Sequence, residues 1–134
     1  MISELEKKAL ERHMAYTYQV IESNGLTGEK KDKAEREGIE SFWRYDYNYR
    51  SSVASVIHSK MKKECNIPGS TKSISERTDA EKRFFRELEH KRWNAYVRSD
   101  GFVYAPIRDK LAKTHNLLVP FDKLPYEEQI KDDN

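Results

Sequence analysis

Two capping boxes mark the starts of two helices in this sequence. In such a box, a serine or threonine side chain accepts a hydrogen bond from the backbone three residues on, and a glutamate at that position accepts one in return. Ser3 with Glu6 and Thr78 with Glu81 have this spacing. Apolar residues follow each box at intervals of three and four, which predicts helices over about residues 3–23 and 78–99.

The remaining segments predict one more long helix and little sheet. Apolar residues at helical spacing indicate a helix over about 51–64, namely Val53, Val56, Ile57 and Met61. The short aromatic and β-branched run at 102–104 indicates a strand or an extended arm, and Pro125 marks the start of a last short helix. The predicted fold class is therefore mainly α with short β-strands, an α+β arrangement.

The predicted domain boundary lies near residue 40. Residues 25–40 contain almost no apolar side chains, which is typical of a solvated linker or a loosely held helical segment. From Phe42 to Tyr49 five of eight residues are aromatic, and aromatic side chains dominate protein cores. We therefore expect an N-terminal helix and charged linker over 1–40 and a compact domain over 41–134.

The charge distribution narrows the classes of partner. Residues 44–113 hold 16 Lys and Arg against 9 Asp and Glu, between two acidic ends, which suits an anionic small ligand or an acidic protein. Acidic residues are interleaved throughout, so nucleic acid is not an expected partner. No apolar run is long enough to cross a bilayer, and we expect a cytoplasmic protein that binds no membrane.

Motifs for catalysis and for metal binding are missing from the sequence. The single cysteine, Cys65, and four histidines without metal-ligand spacing predict no metal site. There is no glycine-rich phosphate loop and no serine-hydrolase motif. We therefore expect neither an enzymatic activity nor a cofactor.

Two cations interrupt apolar helix faces. On a helical wheel, Lys60 lies within the stripe of the helix over 51–64. Arg92 lies within the apolar face of the helix over 78–99, which consists of Phe84, Phe85, Leu88, Ala95 and Tyr96. A buried cation is costly unless it is paired or hydrogen-bonded. In a structural interpretation, the charged heads reach solvent or Arg92 pairs with Glu89 at i, i+3. In a functional one, Lys60 and Arg92 line a pocket and bind an anion, for which a guanidinium fork is suited.

The C-terminal half resembles a known family. Residues 87–134 resemble the ryanodine-receptor repeat, or RyR domain, in its bacterial form. The matching positions form an ordered series: Glu89-His90-x-Arg92-Trp93, Gly101-Phe102-x-Tyr104, Arg108-Asp109, Lys113-x-His115, Leu118-Val119-Pro120, Leu124 and Asp132. Residues 48–61 resemble a segment that precedes the repeat in bacterial members, so the resemblance covers about residues 42–134.

The resemblance implies a small, mostly helical RyR-repeat-like module with short strands, here preceded by an N-terminal helix. The family has no established enzymatic activity, and its bacterial members have been suggested to sense nucleotide-like signals. We therefore expect a non-catalytic module that binds a small anionic or nucleotide-like ligand. The expected site comprises four cations and two flat walls: Lys60, Arg92, Arg108 and Lys113, with Trp93 and Tyr104. The alternative is a protein–protein interaction or self-association module whose aromatic surface docks on another chain, with residues 1–23 as a helical arm.

Overall fold

The structure, a computed structural model, describes residues 1–133 and is mainly helical, as predicted. The chain divides into two compact units, Met1–Glu64 and Cys65–Asn134, here called the N-terminal and C-terminal units. The division thus falls after Glu64, whereas the sequence pattern predicted a boundary near residue 40, a position that lies inside a helix.

The N-terminal unit contains three helices, α1 (Glu4–Ser23), α2 (Gly28–Arg44) and α3 (Asp46–Glu64). The capping box of α1 is present, with the Glu6 N–H donating to Ser3 Oγ over 3.1 Å and the Ser3 N–H donating to Glu6 over 3.0 Å. The aromatic run at 42–49 ends α2 and begins α3, with only Tyr45 between the two helices. As a result α3 begins at Asp46 and not near Ser51.

The predicted linker over 25–40 is largely the packed helix α2. Its contact with α1 uses a small residue, because a Cβ added at Gly38 would lie 2.9 Å from the Thr17 side chain and 3.1 Å from Met14. His13 on α1 hydrogen-bonds the Gly38 carbonyl over 3.0 Å and Ser41 Oγ over 3.1 Å. The sequence left open a solvated linker or a loosely held helical segment; a helix forms here despite the low apolar content, since a glycine allows close helix packing without a large side chain.

The core of the N-terminal unit surrounds Phe42. Its ring centroid lies 5.6 Å from that of His13, 4.8 Å from Trp43 and 5.4 Å from Tyr49. Tyr49 on α3 donates to the Glu6 carboxylate on α1 over 3.1 Å. The other buried apolar residues of this unit lie on α1: Ala9, Met14 and Ile21.

The C-terminal unit is organised around α4 (Asp79–Ser99), which starts with the predicted capping box at Thr78. Two short parallel strands follow, β1 (Val103–Tyr104) and β2 (Thr114–His115), and α5 (Tyr126–Gln129) begins after Pro125 as expected. Short 3₁₀ turns cover Ile74–Glu76, Phe121–Lys123 and Ile130–Asp132. The buried apolar side chains of this unit are Phe85, Val97, Phe102, Leu118, Phe121 and Leu124.

The apolar faces differ from those of the helical wheels. On α3, Ile57 and Met61 of the predicted core stripe are exposed. On α4, Phe84 is exposed, and the buried positions include His90 beside Phe85 and Val97. The buried face of α4 therefore differs from the one that the helical wheel predicts. His90 occupies a buried position because its ring is hydrogen-bonded, and a pattern based on hydrophobicity alone does not include it.

Candidate functional site

The candidate site lies in the C-terminal unit, where β1 and β2 follow the end of α4. The chain reverses after α4 at Gly101, whose φ is +94°, and the Phe102 N–H donates to the Val97 carbonyl over 3.0 Å. This geometry is typical of a glycine-ended helix. In the sheet register Tyr104 lies opposite His115. One helix, two strands and the loop between the strands therefore supply the residues of the site.

Trp93 on α4 contacts two imidazole rings. Its ring centroid is 4.8 Å from that of His115 in an edge-on arrangement and 5.8 Å from that of His90 in a stacked one. Such separations are favourable for ring pairs. Trp93 is half-buried and Tyr104 is exposed. The two aromatic residues predicted for the site thus both neighbour His115. Trp93 contacts its ring, and Tyr104 pairs with it in the sheet.

His115 joins the site although no sequence motif assigned it a role there. Burial lowers the pKa of His115, the Arg108 charge lowers it further, and Glu128 opposes them. The imidazole is therefore neutral at pH 7. The Leu117 N–H donates to His115 Nδ1 over 3.1 Å, which leaves the ring proton on Nε2.

Arg108 is the most available cation of the predicted set in this unit. It is exposed, and its one hydrogen bond within residues 1–133 is a long contact of 3.5 Å from Nη2 to Asn116 Oδ1. Its charge also acts on His115. We call Trp93, Tyr104, Arg108 and His115 the aromatic–arginine cluster.

Lys113 is occupied by the end of α4. Its Nζ donates to the Asp100 carbonyl over 2.6 Å and lies 3.8 Å from the Asp100 carboxylate. Lysine at a helix C-terminus satisfies a free carbonyl and offsets the helix dipole. In this structure Lys113 therefore caps α4.

Arg92 forms a fork with Glu89, as in the structural interpretation. Its Nε and Nη2 donate to the Glu89 carboxylate over 2.9 Å and 2.5 Å, and the two side chains are only 13% and 12% exposed. The remaining nitrogen, Nη1, is buried without a hydrogen-bond acceptor within the described residues. The ion pair therefore leaves the Arg92 Nη1 group unsatisfied.

Lys60 lies in the N-terminal unit, on α3. Its side chain is 75% exposed, and its Nζ is 3.8 Å from the Glu64 carboxylate one turn away. The head therefore reaches solvent, as the structural interpretation predicts. Lys60 also lines a groove between α1 and α3.

His90 is a second residue that the sequence reasoning left without a role. Its Nε2 lies 2.7 Å from the Val119 carbonyl, and its Nδ1 lies 3.4 Å from the Asp132 carboxylate. Burial disfavours the charged ring, but the Asp132 and Val119 hydrogen bonds and the charges of Asp132 and Glu89 outweigh it and raise the pKa of His90. His90 therefore ties α4 to the C-terminal segment behind the Trp93 ring.

The chain matches no protein-family model, no curated protein and no solved structure. The resemblance to the RyR repeat therefore depends on the residue series alone. No helix within residues 1–133 is long and apolar enough to span a membrane. Over the same residues, no three His, Cys, Asp or Glu side chains are grouped so that they could hold a metal ion.

Proposed function

We propose that the C-terminal unit is a non-catalytic RyR-repeat module that recognises a small anionic, nucleotide-like ligand through the aromatic–arginine cluster. The observation that supports it is the exposed Arg108 guanidinium, which contacts Asn116 next to His115 and whose charge acts on the His115 ring, together with the Trp93–His115 ring pair. A guanidinium binds phosphate oxygens with two parallel hydrogen bonds, and it loses little here because its bond to Asn116 is long.

The aromatic members supply the second part of the recognition. Bases stack on aromatic side chains with little dependence on sequence, and Tyr104 is the exposed ring of the cluster. The neutral His115 carries its proton on Nε2, which has no hydrogen-bond acceptor among residues 1–133. It thus offers a donor to a ligand oxygen without the cost of charging a half-buried ring.

Arg92 would contribute to ligand binding through one nitrogen and not through its guanidinium fork. Its fork is occupied by Glu89, but Nη1 is buried without an acceptor. An unsatisfied buried donor is costly, and a ligand oxygen at that atom would remove the cost. Arg92→Lys removes this donor and leaves a point charge on Glu89, so we expect weaker ligand binding with the fold retained.

The test is a thermal-shift screen with AMP, ADP, ATP and inorganic phosphate, followed by calorimetric titration of the nucleotide that stabilises most. A ligand at 100 times its dissociation constant adds about 2.7 kcal/mol of stability. Arg108→Gln should weaken binding by about 1–3 kcal/mol, the range for a charge-assisted hydrogen bond. The matched control is Arg83→Gln, an exposed arginine of α4 that pairs with Asp122 over 3.1 Å and lies outside the cluster.

The results separate the proposal from its alternatives. Equal losses in Arg108→Gln and Arg83→Gln would show a general charge effect and reject the cluster as the site. Binding of phosphate as tight as that of AMP would reject a role for the rings in stacking a base. No stabilisation by any of the four compounds would reject the ligand proposal.

A protein–protein interaction module is the second candidate, and one observation favours it. Ile107 is 77% exposed and Leu111 is 98% exposed. The loop that presents them is held in place, because Asp109 accepts hydrogen bonds from the Leu111 and Ala112 N–H groups and pairs with the Thr114 backbone. Large aliphatic side chains on an ordered surface loop are typical of a contact with another protein.

A further inference from the structure

A groove of about 890 Å³ lies on the N-terminal unit, between the first half of α1 and the second half of α3. Its apolar lining consists of Leu5 from α1 with Val56, Ile57 and Met61 from α3. Grooves between helices of this size are typical binding surfaces.

The α3 wall of the groove is the apolar stripe that the sequence assigned to the core. Ile57 is 46% exposed and Met61 is 47% exposed, so the unit covers only part of this stripe. Leu5 faces the same groove and is also exposed. These exposed apolar side chains line one groove between two helices and are therefore not the scattered exposure usual for single residues.

The charged residues that line the groove indicate which kind of partner would bind this surface. Lys60 pairs with Glu64, and Arg12 donates to the Ser55 and Ser59 hydroxyl groups over 2.6 Å and 3.1 Å. Four further charged side chains line the groove and form no ion pair among residues 1–133: Glu4, Lys8, Glu11 and Lys63. Two of them are acids and two are lysines; with Arg12, Lys60 and Glu64 the whole lining has four basic and three acidic side chains, so it is close to neutral.

A balanced rim disfavours a partner of a single charge sign. An acidic partner meets repulsion from Glu4 and Glu11, and a basic one meets repulsion from Lys8 and Lys63. A second copy of the same surface brings two acids and two lysines, together with its own apolar strip. In a two-fold symmetric dimer each patch meets itself, so acids of one copy can face lysines of the other only on a surface that carries both signs, as this one does.

We propose that the α1–α3 groove is a self-association surface on which a second copy of this chain docks through the same face, forming a two-fold symmetric dimer. The Leu5, Ile57 and Met61 strips of the two copies meet at the centre, and the four rim charges of one copy face those of the other. This surface belongs to the N-terminal unit and does not depend on the proposed ligand site.

Sedimentation equilibrium of the full chain, from micromolar to millimolar concentration, tests the dimer directly. We expect a monomer–dimer equilibrium in the wild type and a monomer in Ile57→Glu, with the helical circular dichroism signal unchanged. The matched control, Ile39→Glu, introduces the same charge at a comparably exposed isoleucine of α2 outside the groove and should still dimerise. A wild type that stays monomeric throughout, or a dimer lost only in Ile39→Glu, would overturn the proposal.

Reversing the charges at the rim tests whether the docking partner is a second copy of this chain, and it leaves the apolar side chains unchanged. Lys8→Glu with Lys63→Glu makes all four rim charges negative, and Glu4→Lys with Glu11→Lys makes them all positive. Each double variant alone should dimerise at least about tenfold more weakly, because like charges then meet across the symmetry axis. An equimolar mixture of the two should form a heterodimer. If only one variant loses association, or if the mixture does not associate, the surface is not self-complementary and the proposal is wrong.

Discussion

At the scale of single residues, the two histidines of the C-terminal unit have opposite electrostatic surroundings. His90 faces two acceptors, the Val119 carbonyl and the Asp132 carboxylate, and only the charged imidazolium can donate to both. His115 has the Leu117 N–H on one nitrogen and the Arg108 charge nearby, which favour the neutral ring. The same residue type therefore acts as a charged structural tie in one place and as a neutral acceptor in the other.

The raised pKa of His90 predicts a pH-dependent contribution to stability. The folded state binds the His90 proton more tightly than the unfolded state, whose histidine pKa is about 6.5. The contribution is therefore complete below about pH 6.5 and is lost as the pH rises through the higher folded pKa. Urea unfolding of wild type and His90→Gln should differ by about 1–3 kcal/mol near pH 6, the range for a buried charged hydrogen bond.

The difference in unfolding free energy between wild type and His90→Gln reports on His90 alone. His115 has a lowered pKa and contributes with the opposite sign, but it is present in both proteins and cancels from the difference. The gap in unfolding free energy should shrink steadily toward pH 9. A gap that stays constant from pH 6 to pH 9 would show that the folded and unfolded states bind this proton equally, and would contradict the raised pKa of His90.

The structure brings together only some of the residues that the sequence predicted for the candidate site. Trp93, Tyr104 and Arg108 belong to the aromatic–arginine cluster, and the fork between Arg92 and Glu89 follows from their i, i+3 spacing. His115 was not predicted because it enters the site through β2, a strand of two residues that has no detectable periodicity. The position of Lys113 at the end of α4 was not predicted either, since it depends on how the chain returns after Gly101.

At the scale of the elements, the helices with capping boxes were predicted well and α2 was not. Capping boxes and stop signals are local, so α1 and α4 begin and end within about one residue of the expected positions. The interior of α2 is stabilised by its contact with α1 and by Lys–Glu pairs such as Lys31–Glu35 at 4.0 Å, and exposed pairs contribute little each. Its packing depends on Gly38, which a hydrophobicity pattern does not register.

The close contact at Gly38 predicts a specific loss on enlargement. Gly38→Ala gains up to about 1 kcal/mol of helix propensity, but its Cβ would lie 2.9 Å from the Thr17 side chain. Overpacking typically costs about 1–3 kcal/mol, so we expect net destabilisation in chemical denaturation. Thr17→Ala removes the two clashing atoms, and the double variant Gly38→Ala with Thr17→Ala should recover most of the loss. Additive losses in the double variant would show that α1 and α2 do not meet at these residues.

At the scale of the whole molecule, the sequence and the structure divide the chain differently. The sequence showed a change of composition near residue 40, from charged to aromatic, and such a change often marks a boundary. In the structure the aromatic side chains Phe42 and Tyr49 complete the core of the N-terminal unit, so the composition changes in the middle of that unit. Composition shows which residues are apolar, but it does not show which helices those residues pack against.

This difference predicts where a protease cuts first. The sequence pattern predicts early tryptic cleavage among Lys30, Lys31, Lys33 and Arg36, which would leave a stable fragment from about residue 40. The structure places these residues in α2, where cleavage requires local unfolding of a packed helix. We expect the first cuts instead at the exposed Lys63 and Lys72, on either side of the division between the units.

Mass spectrometry of a tryptic time course distinguishes the two boundaries. Fragments ending at Lys63 or Lys72 should accumulate before any fragment that begins within residues 31–37, because a site must open locally to enter the protease. Gly38→Ala provides an internal control, since loosening the contact between α1 and α2 should speed cleavage within α2 and leave the rate at Lys72 unchanged. If wild type is cut first within residues 30–36, α2 is not held by α1, and the boundary near residue 40 is the correct one.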